Sequence, residues 1–364
     1  SKDTETVSNS GQPLATPLMM NHHPATLIRT SSPSSSPCRP LRILPQEPIA
    51  HRPSCRPLSS TKRSTFSTFR PSFPVNRAPP STSNPTLTLL SGYRQSWSPN
   101  TLKTRLLLNA MDIPYTEQYV SYPDIASLLK SYGVPASASG FSYTLPAIYH
   151  PESLKGNVPG DAILSDSIAI AHHLDALYPS APHHAFPEPK SDSEALWTES
   201  EDLLRKIIFQ QSGGHGYRLL MPRIPLILDD RGAEYFIKTR AASHPQNLSP
   251  VEWGSKDIED DWKAVEPSVR AYNAYLQRKR SEAEAEGKGK GPFLWGQTLS
   301  MGDIYLASIL VWLQAAGEGR LERFMAIGEG DDYETSPIRD VWNAFEKNGW
   351  LSKQGEERVI HEQT

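Results

Sequence analysis

Cysteine is almost missing from this chain: Cys38 and Cys55 are the only two in 364 residues. Both precede the region where apolar periodicity begins, so they build neither a disulfide framework nor a zinc site, and the periodic part has no thiol of its own. Long apolar runs are missing too, since none approaches the ~20 residues of a membrane-spanning helix. Nor is there a marked charge of either sign. The formal net charge is -3, which argues neither for a nucleic-acid surface nor for an acidic partner. What remains is a length sufficient for two ordinary domains with real cores.

Acids are nearly absent from one stretch. Between Met19 and Asn84, the basic residues Arg29, Arg39, Arg42, Arg52, Arg56, Lys62, Arg63, Arg70 and Arg77 face the single acid Glu47. Residues 1–84 are rich in Ser, Pro, Thr and Arg and show no sustained apolar period. Such a segment buries too little surface to offset its chain entropy, and the expectation is a disordered extension. The composition is also that of an organellar transit peptide, which makes mitochondrial targeting the alternative to a cytoplasmic location. The prolines, which would interrupt a long amphipathic helix, speak against it. His22-His23 reads as coil rather than as metal ligands.

Order is expected from Pro85. Leu87–Leu90 reads as a strand ending in a turn at Gly92, and Leu102, Leu106, Leu107 and Ala110 recur at the spacing of a helix over 99–111. After the Asp112-Ile-Pro turn, alternating Tyr115, Glu117 and Tyr119 give a second strand. Tyr122–Tyr132 follows as a short helix, and 133–140 as loop. Thr144–Tyr149 is a third strand with Pro146 at its start, where proline is tolerated. Pro151–Gly160 reads as a polar hairpin loop, Ala162–Leu164 as a fourth strand, and 165–179 as an amphipathic helix begun by Ser165 or Asp166. The order β-α-β-α-β-β-α over 85–180 implies a small mixed sheet with helices packed on it.

Beyond the linker Ser180–Pro189 the reading is helical. Helices are expected near 191–213, 216–228, 231–242, 255–285, 302–317 and 335–348, giving an all-α domain over 190–352 and a loose polar tail over 353–364. His183-His184 in the linker reads as solvated. The charged run Ser281–Gly291, with its Gly-Lys-Gly-Lys-Gly, reads as a flexible connection; it has no strand-loop-helix context and no Ser/Thr after Lys, which excludes a phosphate loop. Ser300-Met-Gly-Asp303 has the form of a capping box opening a buried helix.

The chemistry is placed at Ser96-Trp-Ser-Pro-Asn-Thr-Leu-Lys-Thr-Arg105. Ser98 is a good N-cap and Pro99 a good first helical residue, since its missing N–H costs nothing there. Read locally, Ser98 does no more than cap a helix. A hydroxyl so placed also stands among free N–H groups at the positive end of the helix dipole, where an anion is favoured. Ser96, two residues earlier in the loop before the helix, is the competing hydroxyl. By the same local reading Asp166 and Ser167 are a capping pair.

These words, in this order, resemble a known family. Ser98-Pro-x-x-x-Lys-x-Arg105, Thr144-Leu-Pro-Ala-Ile148 and Ser165-Asp-Ser-Ile-Ala-Ile170 are similar to three segments of cytosolic-type glutathione transferases. The runs Tyr122-Pro-Asp-Ile and Arg231-Gly-Ala-Glu-Tyr-Phe-Ile-Lys-Thr-Arg240 are most similar to the fungal-specific A class of basidiomycetes. The resemblance covers about residues 86–350. It implies a thioredoxin-like domain followed by an all-α domain, with Ser98 as thiolate stabiliser. It further implies Leu145 before a cis-Pro146 pairing with the cysteinyl backbone of glutathione, and Asp166 and Ser167 gripping the γ-glutamyl group. A homodimer is implied, with glutathione as co-substrate and no metal or other cofactor. Ser300–Asp303 takes the place of the family's core-helix cap.

A free thiol of pKa 8.5 is only about 3% thiolate at pH 7. Lowering that pKa by ~2 units needs about 2.7 kcal/mol of preference for the anion. A hydroxyl donor in the field of a helix N-terminus is adequate in kind. Omega-like members that reduce mixed disulfides carry cysteine where Ser98 stands, and serine cannot form that disulfide; thiol transferase or deglutathionylase activity is therefore not expected. Phe209, Tyr217, Met221 and Trp312 are candidates to line an apolar cavity over Ser98. The leading expectation is conjugation of glutathione to small apolar electrophiles. The alternative is a non-catalytic carrier of small apolar or phenolic ligands on the same fold.

Overall fold

A computed structural model describes residues 87–92, 97–138, 141–160, 162–210, 214–241, 255–352 and 356–357. The expected extension 1–84, with both cysteines, lies outside them, as does Ser96.

The sheet is built as the alternation in sequence dictates. Strand β1 (Leu87–Gly92) is buried along its whole length and runs parallel to β2 (Tyr115–Val120). Between them lies α1 (Pro99–Ala110), the crossover a parallel pair requires. A single turn at Tyr122–Asp124 leads into α2 (Ile125–Ser131). Strands β3 (Ala147–Tyr149) and β4 (Ile163–Ser165) then pair antiparallel, with a one-turn helix α3 (Pro151–Leu154) between them. Helix α4 (Ser167–Leu177) closes this half. With a short last strand, β5 (Glu356–Glu357), the strand order is β4-β3-β1-β2-β5.

The second half is helical: α5 (Lys190–Arg205), α6 (His215–Leu220), α7 (Asp230–Ala241), α8 (Lys256–Ala285), α9 (Met301–Ala316), α10 (Arg320–Ala326) and α11 (Pro337–Lys347). The capping box of α9 forms as its spacing predicts. Ser300 donates to Asp303 from both its amide (3.0 Å) and its hydroxyl (2.6 Å). Asp303 also accepts from the Leu294 amide at 2.8 Å, so one carboxylate joins the approach loop to the helix. One continuous apolar core runs from Leu89 and Leu107 through Trp312 to Phe345. Among the described residues no helix is long and apolar enough to cross a membrane.

Several boundaries differ from the sequence reading, each for a local reason. The third strand begins at Ala147 rather than Thr144, because Pro146 has no N–H to give the ladder. The 151–160 loop contains α3, begun by Pro151 at its first position. The first long helix stops at Arg205 and continues as a π turn over Lys206–Gln210. The next stops at Leu220 and tightens to a 3-10 turn over Met221–Ile227, where Pro222 and Pro225 offer no donors. Helix α10 has no counterpart in the sequence reading, and neither does β5 (Glu356–Glu357), which pairs parallel with β2. The tail expected to be loose is thus held in part by the sheet. Its approach is tied down as well, by Asn109 donating to the Trp350 carbonyl at 2.6 Å.

Candidate active site

The sheet register sets the second and third sequence words side by side and next to β1. Leu90 pairs with Ala147, and Ala147 with Ser165. Pro146 precedes Ala147 and Asp166 follows Ser165, so both come directly at the end of the β3–β4 ladder. Leu145 and Pro146 lie just outside the ladder, joined by a cis peptide bond, and Leu145 is buried. Main-chain groups here are not consumed by strand pairing, which leaves them free to meet an extended peptide.

Ser98 caps α1 with its backbone: its carbonyl accepts from the Leu102 amide at 2.8 Å. Its side chain makes no capping bond, although φ -66° and ψ 126° are ordinary N-cap angles. The residue is half-buried. Its hydroxyl has no hydrogen-bond partner among the described residues, and the residue stands at the positive end of a 12-residue helix.

Asp166 stands at the N-terminus of α4 in a left-handed conformation, φ 83°. Its carboxylate accepts from the amides of Ile168 (2.9 Å) and Ala169 (3.0 Å). It is thus the capping residue of the pair, and it is exposed. Ser167 follows inside the helix, buried, its hydroxyl unbonded among the described residues. A cleft of about 230 Å³ opens beside Asp166, lined among others by Leu129, Val134, Ser137, Thr144 and Ser165. Ser98, Leu145, Pro146 and Ser167 do not line it; Leu145 follows Thr144 and Ser167 follows Asp166, which do.

The residues before and after Ser98 carry signals that periodicity did not disclose. Trp97 is buried, stacks on Tyr122 at 6.1 Å and meets Trp312 at 6.3 Å. Tyr122 in turn presents its ring to the edge of Phe236 on α7 at 6.0 Å, and burial raises its hydroxyl pKa. Arg231 holds Asp124 with both guanidinium nitrogens, at 2.9 and 2.8 Å, and Ser121 donates to Asp229 at 2.8 Å. The runs beginning at Tyr122 and Arg231 therefore meet across the two halves, beside Trp97. Of the four residues expected to line a cavity, Trp312 reaches Trp97. Phe209 and Tyr217 contact each other at 5.8 Å, and Met221 is buried in the core.

Lys103 is the other unforeseen residue. It is buried on α1, with its ammonium 5.4 Å from the Trp197 ring and 4.9 Å from the Tyr305 ring. Burial pushes its pKa down to about 8, against the pull of Glu201 and Asp166. A lysine inside an amphipathic repeat reads as solvated; this one is covered because α9 lies on the side of α1 that the sheet leaves open.

With this geometry in place, the chain can be set beside known proteins. It matches "Glutathione S-transferase, N-terminal domain" over residues 97–177 and "Glutathione S-transferase, C-terminal domain" over 201–332. It is 37% identical to the glutathione S-transferase-like protein ustS of Aspergillus flavus over 275 residues, which is 74% of this chain and 90% of that protein. Among solved structures it is similar to glutathione transferase GSTFuA3 of Phanerochaete chrysosporium, with 28% identity, a TM-score of 0.56, and coverage of 74% of this chain and 99% of that one. It is also similar to CsGST63524 of Ceriporiopsis subvermispora, solved in complex with glutathione, with 25% identity, a TM-score of 0.56, and coverage of 72% and 97%. The mixed sheet, the cis-proline at its edge and the helical second half all fit that assignment, and the chain belongs to the glutathione transferase family.

Proposed function

We propose that the protein binds glutathione in the cleft beside Asp166 and lowers its thiol pKa with the Ser98 hydroxyl, for attack on a small apolar electrophile. The observation that carries this reading is the uncommitted Ser98 hydroxyl at the start of α1. The γ-glutamyl end lies toward Asp166 and Ser167, where an exposed carboxylate, a hydroxyl and the α4 dipole converge. The cysteinyl backbone pairs with Leu145, which places the sulfur toward Ser98. The thiol gives its proton to solvent, Ser98 donates a hydrogen bond to the resulting thiolate, and the sulfur forms the new bond as the electrophile takes up the electron pair or releases its leaving group. The glutathione held by CsGST63524 supports the choice of co-substrate. A homodimer goes with this reading, and a sizing column tests it.

The test is the thiolate absorbance of glutathione titrated across pH with the full chain. The expected result is a bound-thiol pKa well below 8.5, returned toward the free value in Ser98→Ala. Binding with an unshifted pKa would make the protein a ligand carrier, and absence of binding would remove the reading altogether.

A further inference from the structure

The Gly-Lys-Gly-Lys-Gly run has a defined place, not that of a flexible connection. At the end of α8 the amides of Gly287 and Lys288 bond back to Glu284 (3.1 Å) and Ala283 (2.9 Å). Gly287 and Gly289 both adopt φ +79°, a conformation that side chains disfavour. The turn carries the Lys288 ammonium over the ring of Trp295, 4.1 Å from its centroid, and within 2.6 Å of the Glu286 carboxylate.

Beneath this lysine, Trp295 packs with Leu196 and Ala283 in a small apolar cluster separate from the main core. The cluster floors a cleft of about 250 Å³ between α5 and α8. Four carboxylates reach the cleft, from Asp192, Glu199, Glu282 and Glu286, against the ammonium groups of Lys279 and Lys288. Lys279 is already engaged by Glu199 at 3.1 Å and Glu282 at 3.4 Å. The surplus charge is negative, and the one aromatic face in the cleft is covered by a cation. An indole face, apolar walls and carboxylates are the components that hold an organic ammonium ion. No residue of this cleft lines the one beside Asp166.

We propose that the cleft between α5 and α8 is a binding site for a small organic ammonium ion, with Lys288 as its built-in plug. Lys288 is tethered by a short turn, and a tethered group competes at an effective concentration in the millimolar range. The side chain keeps 29% of its surface exposed, so it can swing into solvent when a ligand cation takes its position. Displacing it leaves the Trp295 face and the Glu286 carboxylate to the newcomer.

Calorimetric titration of the full chain with choline, and with its uncharged isostere 3,3-dimethylbutan-1-ol, tests this. Lys288→Ala is expected to tighten choline about tenfold, the range of one cation–π contact, and to leave the isostere unbound. Glu199→Gln combined with Glu286→Gln, both at exposed positions, is expected to weaken choline by a similar factor without unfolding the protein. Choline binding that is no tighter in Lys288→Ala, or that the uncharged isostere equals, overturns the proposal. Glutathione affinity serves as the control for an intact fold.

Discussion

Helices α1 and α11 open with the same dipeptide, Ser98-Pro99 and Ser336-Pro337, in nearly the same conformation. Ser98 has φ -66° and ψ 126°, and Ser336 has φ -64° and ψ 140°. Their hydroxyls have opposite fates. Ser336 is fully buried, accepts from the Arg339 amide at 3.2 Å and donates to the Met325 carbonyl. Ser98 is half-buried and its hydroxyl bonds to none of the described residues. Ser336 spends its hydrogen-bonding capacity on the fold, while the Ser98 hydroxyl spends none of its own on the described residues. Local grammar makes both serines caps; only the surroundings tell them apart.

The largest effect that separates the two serines is catalytic. Ser98→Ala is expected to lower turnover roughly ten- to a thousandfold, as when one donor to a developing anion is removed. Stability should move by less than about 0.5 kcal/mol, because no internal bond is lost. Steady-state conjugation of glutathione to a test electrophile, with a thermal melt of the same sample, reads both quantities. Unchanged turnover would transfer the role to Ser96 or to the helix N-terminus alone. Ser336→Ala should do the reverse. It leaves a buried amide and a buried carbonyl without their partner, at a cost of about 1–3 kcal/mol, while turnover per folded molecule stays at the wild-type level. Denaturant unfolding measures the first and activity at saturating stability measures the second. If Ser336→Ala lost activity while remaining folded, the contrast between the caps would collapse.

How much of this was legible beforehand follows from how local each signal is. The Ser98-Pro99 start, the Ser300–Asp303 box and the proline at the head of the third strand involve residues a few positions apart, so spacing alone revealed them. That β1, the Leu-Pro turn and the start of α4 come side by side depends on sheet register, which spacing does not give. Long-range partners stayed hidden. Glu117 alternated with Tyr115 as a strand residue should, yet nothing marked it as a fully buried carboxylate held by Ser91 at 2.5 Å. The meeting of Asp124 with Arg231 spans 107 positions. Strand β5 is two residues long and carries no apolar pattern at all.

The smallest predicted effect sharpens the comparison of α1 with α11 in their lysines. Lys347 ends α11 on the exposed face, where a charge costs nothing. Lys103 lies in α1 between Trp197 and Tyr305, 5% exposed, and burial holds its pKa near 8, well below the usual 10.5 of a lysine. Below pH 8 both the folded and the unfolded chain carry this proton, and the folded state bears the full cost of the buried charge, about 2–3 kcal/mol before the aromatic faces offset part of it. Between pH 8 and 10.5 the folded chain sheds the proton first. The unfolded chain then binds more protons, and stability attributable to this group rises with pH. Lys103→Met, of similar volume and without charge, should therefore be more stable than the wild type by about 1–2 kcal/mol at pH 7. That advantage should fade as the pH approaches 10.5. Urea unfolding at pH 7 and at pH 10 decides it. A constant difference between the two pH values would mean that Lys103 is not the titrating group, and a destabilised Lys103→Met would mean that its ammonium is a net brace between α1, α5 and α9.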